Sequence, residues 1–176
     1  MMNETSEIVL SMQELREVTR YAAECAQEVL EIFEMVHPTD SRPRDAINAA
    51  WAFARGGNRG KTLRDTAWAA LKAAHDASTA AASDAARAAM CAASAAYLHP
   101  LANAHQVKHI LGAAAHAAKC VEGDDRSVGT AHIEQACQRA TPSVVDVLRR
   151  YPAAPHGGGR VGELLRELDV ALRERC

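Results

Sequence analysis

The sequence predicts an all-α protein: a single-domain bundle of seven or eight alanine-rich helices with no sheet. Three observations carry this. Alanine, the residue that loses least on entering a helix, makes up roughly a fifth of the chain. Leu15, Val18, Ala22, Cys25, Val29, Ile32 and Val36 recur at alternating steps of three and four, the stripe of an amphipathic helix. No segment alternates apolar and polar residues with β-branched enrichment, as a half-buried strand would.

Taken in order, residues 1–10 read as a flexible lead-in and 11–176 as one helical domain. Ser11 with Glu14 forms a capping box that opens the first helix, and His37-Pro38 ends it by pushing the residue before proline out of the α region. Pro43 opens a second helix, which Gly56-Gly57 stop. Thr62 with Asp65 opens a third, and residues 76–79 form a weak break before an alanine-rich fourth that runs to about Tyr97. His99-Pro100 restarts the chain into helix five, which ends near Val121 and lies centrally in the bundle. After a loop at 122–126, Thr130 opens a sixth helix and Thr141-Pro142 a short seventh. A loop rich in proline and glycine, 152–159, precedes a last helix over 161–174.

Composition excludes several classes. The formal net charge of −2 selects no partner by global field, and no basic stripe with interleaved aromatics suggests nucleic acid. Five scattered cysteines with no Cys-x-x-Cys argue against a disulfide framework and a zinc ribbon, and favour a reducing, cytoplasmic setting. No run of about 20 apolar residues suggests a membrane span, and no leader peptide is recognisable.

Four candidate motifs stand out. Gly60-Lys61-Thr62 matches the end of a phosphate-binding loop, but Arg55 occupies the first glycine position and the segment before it reads as helix, so a helix stop and a capped restart is the better account. His105, His109 and His116 fall on one face of helix five, where a polar groove is the main reading and a transition metal the minor one. The turn carrying Asp40, Arg42 and Arg44 could hold a partner's polar groups or pair with itself. Cys25 and Cys91 read as small core residues.

The stretch from Ala96-Tyr97-Leu98-His99-Pro100 through Gln106-Val107-Lys108-His109-Ile110-Leu111-Gly112 resembles the immunity-protein-5-like family, supported by Arg42-Pro43-Arg44-Asp45-Ala46-Ile47 and by Ala52-Phe53-Ala54-Arg55-Gly56-Gly57. The resemblance spans about residues 12 to 150. It implies a helical protein that binds and neutralises a cognate bacterial toxin. His99, Gln106, Lys108 and His109 fit the family pattern, whereas the His105 position commonly holds a small hydroxyl residue there and the His116 position a tyrosine. The resemblance therefore implies a shared polar site at His99 and His109.

The leading expectation is a protein-binding module with a toxin as partner, recognised through Asp40, Arg42, Arg44 and the polar residues of helix five. The alternative is a small enzyme or ligand binder with a pocket lined by His99, His105, Gln106, Lys108, His109 and His116. Its catalytic groups would be His99, Lys108 and His109, and a perturbed titration of His109 would mark it. The sequence leans against catalysis, implies no cofactor, and leaves a homodimer open.

Overall fold

The computed structural model describes residues 6–175. Among them are nine helices: α1 (Met12–Gln27), α2 (Leu30–Val36), α3 (Arg42–Ala54), α4 (Lys61–Asp76), α5 (Ala80–Ser94), α6 (Val107–Glu122), α7 (Arg126–Arg139), α8 (Pro142–Arg149) and α9 (Gly159–Arg173). Short 3₁₀ turns at Ala95–Tyr97 and Ala104–Gln106 flank the passage from α5 to α6. The described residues form no strand. No helix among them is long and apolar enough to cross a membrane.

The centre is the antiparallel run of α5 and α6. α5 packs against α1, α2, α3, α4 and α6, and α6 adds α7 and α9. So many neighbours can surround one helix because α5 presents almost nothing but alanine: Ala82, Ala85, Ala86, Ala88, Ala89, Ala92 and Ala93 are all fully buried. Small side chains shorten the interaxial distance and let backbone approach backbone. The approach is close at Gly112 of α6, where even a Cβ would come within 3.1 Å of the Cys91 sulfur. The larger side chains, among them Phe33, Phe53, Ile110, Leu111, Leu148, Leu164 and Leu168, fill the outer layers of one continuous core.

The extra helix arises because the expected first helix is two. The turn tightens at Val29, whose N–H donates to the Ala26 carbonyl, three residues back. This rotates the buried face. Leu30 and Phe33 enter the core, while Val36, expected on the apolar stripe, is exposed. Three start points also differ. α6 begins at Val107 and not just after His99-Pro100, because a non-helical passage and the 3₁₀ turn at Ala104–Gln106 come first. α4 begins directly after Gly60, leaving Thr62 inside its first turn, and α7 begins at Arg126 because Asp125 accepts the Ser127 N–H at 3.0 Å. The Ser11 capping box and the Thr141-Pro142 opening form as expected.

Residues 6–10, part of the expected loose lead-in, are held in place. The Ile8 N–H donates to the Pro100 carbonyl at 2.6 Å, Ala102 donates to Ser6 at 3.3 Å, and Ile8 is buried. Glu7 and Leu101 thus pair as an antiparallel bridge. Residues 1–5 lie outside the described residues. The next turn is fastened by Arg150, which donates to the Val9 carbonyl and pairs with Glu14 at 2.6 Å. That pairing, with the Ser11 N–H, holds the Glu14 carboxyl down at about 2.

Candidate functional site

The histidine face of α6 opens onto a cleft of about 570 Å³. One wall is α5, which contributes Asp84, Arg87, Cys91 and Ser94 at helical spacing; the floor is α6. The other wall is the loop 155–158 and the first two turns of α9. That wall is built by glycine. Gly157, Gly158 and Gly159 take φ of 85°, 78° and 59°, a succession that side-chain-bearing residues rarely adopt. Gly162 is needed beneath them, since a Cβ there would stand 1.9 Å from the Gly157 carbonyl oxygen. Arg166 then locks the loop by donating to the Pro155 and Gly157 carbonyls at 3.1 and 2.7 Å.

Two imidazoles in the cleft have fixed orientations. His109 has its Nδ1 3.1 Å from the Ser94 carbonyl, an acceptor only, so Nδ1–H donates and Nε2 keeps its lone pair. His116 has its Nδ1 3.1 Å from Asp84, with both side chains mostly buried. Burial lowers the His109 pKa below its ordinary 6.5, although the bond to Ser94 pulls it back up. In the window between the folded pKa and 6.5, the unfolded chain therefore holds more protons than the folded one. The associated stability is complete above 6.5 and is lost as pH falls through the folded pKa. An NMR titration is expected to place the His109 Cε1–H midpoint below 6.5; a midpoint at or above it would contradict the buried neutral ring.

The structure divides the residues singled out from sequence. His105, Lys108, His109 and His116 line the cleft. His99 and Gln106 do not line it. The Gln106 side chain accepts the His99 backbone N–H at 2.8 Å, and the His99 carbonyl accepts the Tyr151 hydroxyl at 2.7 Å, so both residues fasten the 98–106 passage. The His99 residue is exposed. Asp40, Arg42 and Arg44 are occupied within the chain. Arg42 bridges Asp40 and Asp76 at 2.7 and 3.0 Å, and Arg44 grips Glu34 through two bonds of 2.6 and 2.7 Å. Gly60-Lys61-Thr62 follows a helix and not a strand, and Lys61 is paired to Asp65.

Among the described residues no three His, Cys, Asp or Glu side chains converge as a metal would need. His116 lies two turns beyond His109, about 10 Å along the axis. Three buried thiols are held protonated: burial pushes Cys91 and Cys120 up to about 12 and Cys25 to about 11.

A second surface adjoins the cleft across Met90 and Ser94. Arg20 and Arg55 lie over Trp51 at 6.0 and 5.0 Å, Arg16 over Phe53 at 5.7 Å, and Arg59 and Arg64 over Tyr97 at 5.7 and 5.3 Å. Beside Arg64, the largely exposed Trp68 borders an apolar hollow of about 390 Å³. The linear sequence shows no basic stripe with interleaved aromatics; folding assembles one from α1, α3, α4 and the residues after α5.

Fold and surfaces together define an alanine-packed, all-α domain bearing a polar cleft beside an arginine–aromatic face. Its lineage is equally definite. The chain belongs to the family described as "Imm-5 like putative immunity protein", which matches residues 9–143. The match includes the α5–α6 side of the cleft and stops short of the α9 wall. No curated protein and no solved structure matches the chain.

Proposed function

We propose that the protein protects by binding: it neutralises a toxin by covering an acidic surface on it with the arginine–aromatic face. The observation that carries this reading is the state of the five arginines. Among the described residues none of Arg16, Arg20, Arg55, Arg59 and Arg64 is paired with a carboxylate, in contrast to Arg42, Arg44, Arg150 and Arg160. Each lies over an aromatic ring, which restrains the guanidinium. Arg16, Arg20 and Arg59 also donate to backbone carbonyls of the chain, whereas Arg55 and Arg64 have no hydrogen-bond partner among the described residues and keep their donors for a partner. Arginine, tryptophan and tyrosine around an apolar hollow are the composition of binding hot spots. Family membership supports the immunity role.

The test is co-expression with the product of the neighbouring reading frame, followed by pull-down and a growth assay. A stoichiometric complex that rescues growth is the expected result. The paired substitution Arg55→Glu with Arg64→Glu should weaken it about a hundredfold. A folded protein that neither binds nor rescues would overturn the proposal, and undiminished binding by the charge-reversed variant would move the interface elsewhere.

One observation favours a second reading for the cleft. Its volume lies within the roughly 300–1,000 Å³ of small-molecule sites, and its walls are fixed by glycine geometry and by Arg166 before any ligand arrives.

A further inference from the structure

We infer that the cleft between α5, α6 and α9 is a site for a small organic anion, with its phosphate or carboxylate head at Arg87 and Lys108 and an apolar body against Met90, Val161 and Leu165. The inference rests on the small-ligand reading of the cleft and names the class of ligand.

Charge balance carries it. Asp84 is the one carboxylate among the lining residues, and the His116 imidazole already occupies one of its oxygens at 3.1 Å. Against it stand Arg87 and Lys108, neither of which has a hydrogen-bond or ion-pair partner among the described residues. Both cations lie near enough to the floor to act on the buried Cys91 thiol, opposing the upward push of burial. His105 and His156 add ring nitrogens at the rim. A half-enclosed cavity that gathers unpaired donors and commits its one acceptor carboxylate internally is complementary to negative charge.

Shape agrees. Gly112 leaves the floor open down to the Cys91 sulfur, where any side chain would intrude. Val161 and Leu165, one turn apart on α9, are apolar groups of one wall, and Met90 adds a third from the α5 wall. The lining therefore offers cationic groups and apolar ones. A bare inorganic ion would use only the first.

The experiment is calorimetric titration of the full chain with phenyl phosphate, benzoate and phenol, which share a ring and differ in the head group. NMR of the histidine rings locates the site. At least one of the two anions should bind at least tenfold more tightly than phenol, with shifts at His109 and His116. Whichever anion is tighter identifies the head group. Lys108→Gln and Arg87→Gln should each weaken the anion about tenfold, with the melting temperature unchanged. Lys108 is exposed, so its variant carries the test if Arg87→Gln fails to fold. Phenol binding as tightly as the anions would overturn the charge assignment while leaving a small-ligand cleft standing. Binding of none of the three would remove both. Anion binding indifferent to both substitutions would place it elsewhere and overturn the inference.

Discussion

Arg160→Ala is expected to lower the free energy of unfolding by about 3 kcal/mol. Arg160 meets Glu122 through Nε at 3.0 Å to both carboxylate oxygens and through a terminal nitrogen at 2.7 Å. The Glu122 side chain is 3% exposed, so removal of the guanidinium strands a charge that water hardly reaches. The carboxylate cannot swing aside, because Gly129 of α7 lies against it so closely that a Cβ there would stand 2.2 Å from Oε2. The Arg160 side chain is 16% exposed, which places the loss at the lower end of the range for breaking buried pairs. Urea unfolding should show a lower midpoint with an unchanged slope. Replacing both partners together, Glu122→Leu with Arg160→Met, should cost much less, since no charge is then stranded. A loss below about 1 kcal/mol for the single variant would show that Glu122 finds other partners. The pair also ties the first turn of α9 to the end of α6, so the variant should loosen one wall of the cleft.

Ala89→Leu should be nearly as damaging, at about 3 kcal/mol. Ala89 is completely buried in α5, the helix that most others pack against. The buried residues of α5 are alanines apart from Cys91, so the helix meets its neighbours through methyl groups. Three additional heavy atoms find no free rotamer, and backbones must part to admit them. For a chain of this size the melting temperature should fall by roughly 6–12 °C in calorimetry. Ala80→Leu, at the exposed start of α5, is the control and should stay within about 0.5 kcal/mol of the parent. A tolerated Ala89→Leu would mean that the alanine interfaces hold slack space.

These two sites also mark what could be read from the chain before its structure. Local signals were legible. Ser11 and Glu14 satisfy each other at 3.0 and 2.9 Å, as their spacing implies, and Thr141 caps α8 as expected. The alanine share foretold close packing. Features made by distant segments were not legible. The turn at Val29 obeys the needs of Leu30 and Phe33 in the core, and no local breaker announces it. Asp125 was hidden within an acidic, glycine-containing loop. Of the six candidates on or before helix five, four, His105, Lys108, His109 and His116, share the cleft. His99 and Gln106 are close to them in sequence, yet the chain turns between them: the Gln106 side chain accepts the His99 N–H, and the His99 carbonyl accepts the Tyr151 hydroxyl. Asp84 and Arg87 were readable in principle: with Cys91 and Ser94 they form a polar stripe at steps of three and four within an alanine-rich helix. The α9 wall and the arginine–aromatic face had no linear signature, being composed of segments tens of residues apart.

The place of α1 has a consequence for synthesis. α1 is sheathed by α3, α5, α6 and α8, and the Tyr21 hydroxyl donates to the Ala136 carbonyl, 115 residues later. At ribosomal rates of about 5–20 residues per second, that acceptor emerges roughly 6–23 s after Tyr21 itself. Through that interval α1 is only partly covered, as α3, α5 and α6 emerge one after another, and Ile8 stays open until Pro100 is made. The cover of α1 therefore closes only once α8 has been made, and until then the nascent segment exposes apolar surface of the kind that chaperones bind.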